Sequence, residues 1–109
     1  MFTAGCEGNP GFTPRIDELE KAFRDGLCRR TVDFQQVHGY PRSAPGQANL
    51  TLGANSVGQT YDCLSLTLEM PFKDHDDAPN PQTGWNGQRS RELANAVLDV
   101  LGQMVSRLR

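Results

Sequence analysis

No stretch of this sequence approaches the roughly 20 consecutive apolar residues that a bilayer-spanning helix needs. The reading is therefore of a protein with no membrane role. Cysteine is scarce: Cys6, Cys28 and Cys63 are odd in number, far apart and without a CxxC pair, which excludes a disulfide framework. They read as reduced thiols of a cytoplasmic protein. The first residues, "MFTAGCEGNPG", carry neither a basic leader nor an apolar core of a secretory signal, so the "NLT" at Asn49–Thr51 is not expected to be a glycosylation site. Positive charge is not in excess either, with 11 Lys and Arg against 13 Asp and Glu. Neutralising a phosphate backbone needs a clustered basic face, and the Arg29–Arg30 pair does not make one, so no nucleic-acid partner is expected. The motifs GxSxG, GxxxxGKS, GxxxxGKT and HExxH are absent, and neither His38 nor His75 has a glutamate three positions on.

What is there is one modest domain or a part of one, since 109 residues support a single core. "FTPRIDELEKAFRDGLCRR" predicts a helix over about 14–29, with Thr13 as N-cap, Pro14 at the first position and Asp17 and Glu18 at the positive end of the dipole. Ile16, Leu19, Phe23 and Leu27 form its apolar stripe. Asp17 with Lys21 and Glu20 with Arg24 are i,i+4 pairs assigned to its solvent side. Before it, "MFTAGCEGNPGF" reads as the end of a strand entering a glycine-rich loop, a strand whose beginning is expected upstream of Met1. Residues 31–48 read as loop with a short strand at Val32–Val37, and "NLTLGANSVGQTY" as a source of a short helix.

The alternation of Leu64, Leu66, Leu68 and Met70 against Ser65, Thr67 and Glu69 predicts the main strand, over about 62–71. A last helix over about 88–107 carries the stripe Leu93, Val97, Leu101, Met104 and Leu108. The class is α/β. Two chemical features stand out. Glu69 is either a residue on the wet side of a half-buried strand, or a carboxylate at a strand end whose partial desolvation brings it into general-base range. The run Asp74, His75, Asp76, Asp77 is a solvated acidic loop or, as a weaker alternative, a cation-binding one; it lacks EF-hand spacing.

The segments "TAGCEGNPGFTPRIDELEKAF", "HGYPRSAPGQANLTL" and "LTLEMPFKD", in this order and followed by a long terminal helix, closely resemble the C-terminal third of zinc carboxypeptidases of the bacterial cytosolic type, relatives of carboxypeptidase A. The resemblance covers nearly the whole chain, and residues 1–109 would form the C-terminal segment of one catalytic domain with a mixed-sheet α/β/α fold. It implies that Glu69 is the general base and acid, acting on a zinc-bound water in the hydrolysis of C-terminal peptide bonds. It also implies a mobile tyrosine that contacts the substrate, for which Tyr40 is the candidate and Tyr61 the runner-up. The implied partner is a peptide or protein C-terminus, for which Arg42 is the nearby residue suited to an acidic tail.

The departures from the family's pattern are large. Its HxxE pair, its third histidine and the arginine and asparagine that clamp the substrate carboxylate would all lie upstream of Met1. Zinc belongs to the complete enzyme, its ligands are not in this chain, and the chain by itself is expected to be inactive. It reads as a fragment, whether of a truncated gene, a misplaced start or a remnant, and its missing partner is the N-terminal part of the domain. Alone, with unpaired strand edges, it is expected to self-associate. The alternative is a non-catalytic α/β interaction module that keeps the scaffold without the metal.

Overall fold

Two strands and three helices make up the chain in a computed structural model that describes residues 1–108. Strand β1 (Phe2–Ala4) leads into a glycine-rich loop and then helix α1 (Pro14–Arg30). Helix α2 (Gly53–Tyr61), strand β2 (Thr67–Glu69) and helix α3 (Gly87–Met104) follow, with a 3₁₀ turn at Val105–Arg107.

The ends of the helices follow from local chemistry. Thr13 Oγ1 accepts from the Ile16 amide, and Asn86 Oδ1 accepts from the Arg89 amide at 3.0 Å, each satisfying a donor that the first turn leaves without a partner. Helix α2 stops at Asp62, which takes a left-handed conformation (φ 46°) and returns its amide to the Gly58 carbonyl.

The core lies between α1 and α3. Ile16, Leu19, Phe23 and Leu27 of α1 meet Leu93, Ala96, Val100 and Met104 of α3, with Met1 and Phe34 closing the ends. Gly26 allows the close approach, because a Cβ there would sit 2.7 Å from Val100 Cγ1. The buried line of α3 runs through Ala96 and Val100, while Val97, Leu101 and Leu108 flank it partly buried. The expected stripe is thus turned by about one position, because the small Ala96 faces the partner helix where the bulkier Val97 was assigned.

The sheet is an antiparallel ladder in the register Phe2↔Glu69, Thr3↔Leu68 and Ala4↔Thr67. Leu64, Leu66 and Leu68 pack against the core as their alternation predicted. The strand is nevertheless shorter than 62–71, since β1 offers only three residues to pair with. The strand expected at Val32–Val37 does not form. Gln35 Oε1 accepts from the Val37 and His38 amides, Thr31 Oγ1 accepts from Asp33 N, and both valines stay exposed.

Two polar assignments are corrected. Glu20 is not on the solvent side of α1: its exposure is 0%, and Arg24 is buried beside it. The loop at 5–8 covers that face of the helix, and the lack of a side chain at Gly5 makes room for the pair. The run 74–77 is not simply solvated either. His75 is buried, with Nδ1 accepting from Asp77 N at 3.1 Å and Nε2 lying 2.8 Å from the Asp33 carbonyl and 3.0 Å from the Met1 amino group. Asp74 accepts from the amides of His75 and Asn80 and from Arg89, and the His75 amide foremost holds its carboxyl below the usual range. Arg89 also grips Asp33 and the Ala78 carbonyl and lies 5.0 Å over the Trp85 ring. The loop is a clamp on the start of α3.

Candidate functional site

Glu69 ends β2, half-buried, opposite Phe2. Directly opposed side chains in an antiparallel ladder project from the same face, so Phe2 and Glu69 share a face with Ala4 and Thr67. The Phe2 ring in turn meets Tyr40 edge to face, with centroids 5.1 Å apart at 88°. Phe2 therefore links the two residues that the sequence singled out. Tyr40 remains 63% exposed, and Tyr61, at the end of α2, is exposed and shares no such contact.

A cavity of about 530 Å³ opens on this face. Phe2, Ala4 and Thr67 of the ladder line it, with Tyr40 and Arg42 on the rim and Arg24 and Glu7 in the wall. Glu69 is on the ladder face of the cavity but not among its lining residues.

A line of alternating charge runs through the wall to Glu20 behind it. Glu20 Oε2 accepts from Arg24 Nη2 at 3.0 Å, the same nitrogen donates to Glu7 Oε1 at 2.8 Å, and Arg42 Nε lies 3.5 Å from that oxygen. Arg24 Nε donates to Thr3 Oγ1 in β1, and Glu20 Oε1 accepts from the Cys6 amide at 2.8 Å. Burial drives the Glu20 carboxyl up to about 7, against the hydrogen bond from Cys6 and the charge of Arg24. Burial likewise pushes the Cys6 thiol up to about 11, and it donates to the carbonyls of Ala54 and Ser65. It is a structural thiol.

Sequence reasoning missed Glu7, Glu20 and Arg24 as parts of a site. The signal available for them was an i,i+4 pair next to a segment with three glycines, Gly5, Gly8 and Gly11. Among the described residues, no three His, Cys, Asp or Glu side chains converge as a metal-holding group. The residues present do not fit a zinc ion by themselves. No helix is long and apolar enough to cross a membrane among the described residues.

No family model matches the chain. It is 44% identical over 108 residues to an uncharacterized protein of Zymomonas mobilis, covering 99% of this chain and 28% of that protein. Its structure superposes on a metallo-carboxypeptidase of Pseudomonas aeruginosa, solved in complex with (2-guanidinoethylmercapto)succinic acid, with a TM-score of 0.96 and 63% identity over 99% of this chain. It is similar also to a metallo-carboxypeptidase of Burkholderia cenocepacia, at a TM-score of 0.90 and 40% identity over 96% of this chain. The chain spans 28% of the length of each of these relatives.

Proposed function

Because this chain is a C-terminal portion of the metallo-carboxypeptidase fold, we propose that it supplies the general base and part of the substrate pocket of an enzyme hydrolysing C-terminal peptide bonds. The base is Glu69. Its carboxylate takes a proton from the attacking water and returns it to the leaving amine, which requires a group held in place at a rigid strand end. Tyr40 contacts the substrate from the rim of the cavity, and its exposed hydroxyl suits a hydrogen bond to a carboxylate or amide. The observation that carries this reading is the Phe2 link, which sets Glu69 across the ladder from the ring that Tyr40 packs on, beside a cavity of substrate size.

Zinc, which the kinship with metallo-carboxypeptidases implies for the complete enzyme, would be held by residues beyond those of this chain. Peptide substrates follow from the same kinship. The test is Glu69→Gln in the protein as its native source makes it. The expected outcome is loss of turnover with zinc content and fold retained; near-normal peptide hydrolysis by the variant removes Glu69 from the mechanism.

A further inference from the structure

The charge line through the cavity wall has two carboxylates and two guanidiniums, alternating as Glu20, Arg24, Glu7 and Arg42. Its inner end is sealed and its outer end is open: Glu20 has no exposure, whereas the Arg42 side chain is 69% exposed. Arg24, Glu7 and Arg42 line the cavity, and Glu20 stands behind them. A change of charge at Glu20 is therefore felt in the cavity and cannot be compensated by water at Glu20 itself.

We propose that proton uptake at the buried Glu20 carboxyl turns this wall into a binding site for a carboxylate-bearing ligand, whose charge replaces the one that Glu20 has lost. With Glu20 neutral, Arg24 and Arg42 face one carboxylate, Glu7, and the wall carries one uncompensated positive charge. Arg24 Nη2, already 2.8 Å from Glu7, then has that carboxylate as its charged partner, which weakens the hold of Glu7 on Arg42 at 3.5 Å and leaves the Arg42 guanidinium to pair with a ligand. A monoanionic carboxylate restores neutrality and matches the planar fork of arginine, whereas a phosphate dianion oversupplies charge. The inference rests on the reading of this cavity as the substrate side of the Glu69 site, and gives that site a proton-linked affinity.

The groups facing Glu20 are Arg24 and Asp17 of its own helix and Glu7 and Cys6 of the glycine loop, with Arg42 reached through Glu7. Cys6 stays protonated well above neutrality. His38 also lines the cavity and needs its own control.

The experiment is a titration with acetate, and with inorganic phosphate for comparison, followed by the amide shifts of Tyr40, Arg42 and Gly8 at acidic and alkaline pH. Acetate should bind about tenfold more weakly at pH 8 than at pH 5.5, as expected where only the form with Glu20 protonated binds. Glu20→Gln should bind at both pH values as the wild type does in acid, and His38→Gln should keep the wild-type pH dependence. Arg42→Ala, altered at an exposed position and therefore expected to fold, should lose the shifts. Equal acetate affinity at the two pH values, pH dependence that disappears with His38, or undiminished binding by Arg42→Ala overturns the proposal, as does a preference for phosphate. Repeating the titration on Glu69→Gln separates the two readings, because the proton linkage should survive there whatever that variant does to turnover.

Discussion

Glu20 shows how one side chain can be named in a sequence and still be misplaced. Its spacing from Arg24 is that of a helical ion pair, and such pairs usually sit in water. What buries it is the neighbouring loop, where a Cβ on Gly5 would collide with the Glu20 carboxylate. The consequence is a pH dependence of stability with a definite sign. The carboxyl is raised from its ordinary value of 4.5 to about 7 in the folded chain. The folded state thus holds the proton more tightly than the unfolded one, so this contribution to stability is full in acid and is lost as pH rises through about 7. Denaturant midpoints measured across that window should fall with rising pH, and Glu20→Gln should flatten the slope. Glu69 stands out in the sequence as the lone acid in an alternating apolar segment, a pattern that marks the residue without giving it a role. Tyr40 was singled out only by resemblance, and its contact with Phe2 is set by a tertiary packing that no local pattern announces.

At the scale of elements, the helices were legible nearly to the residue. The helix expected over 14–29 is Pro14–Arg30, and the one expected over 88–107 is Gly87–Met104 with its 3₁₀ turn, because caps and apolar periodicity are local signals. The strands were less so. A ladder exists only where two segments meet, and the alternation through residues 62–71 says nothing of the three-residue length of its partner. The packing of α1 on α3 turns on Gly26. Gly26→Ala places a methyl against Val100 and should cost about 1–3 kcal/mol by overpacking, set against the small gain that alanine brings to a helix. Val100→Ala in the same chain should recover part of that loss. A urea-unfolding cycle over the four variants measures the coupling, and additive effects would show that the two helices do not meet there.

The molecule as a whole is a slab with extents of 44 × 29 × 20 Å, in which α1 packs on α3 beside a two-stranded ladder. Fold class could be read from the sequence because it depends on the order of elements. The cavity could not, since its wall gathers residues from β1, the glycine loop, α1 and the 34–43 loop, separated by up to several tens of positions. No metal-holding group is assembled among the described residues, so chelation should leave the thermal midpoint of this chain unchanged; a lower midpoint in EDTA would reveal a site that these residues build by other means. The short ladder also works as a ruler. Side chains alternate from face to face along a strand, so a slip of β1 by a single position would carry Phe2 to the opposite side. Glu69 would then stand opposite a different residue and Tyr40 would lose its footing in the same step, so the proposed base and the tyrosine at the cavity are both calibrated against one phenyl ring.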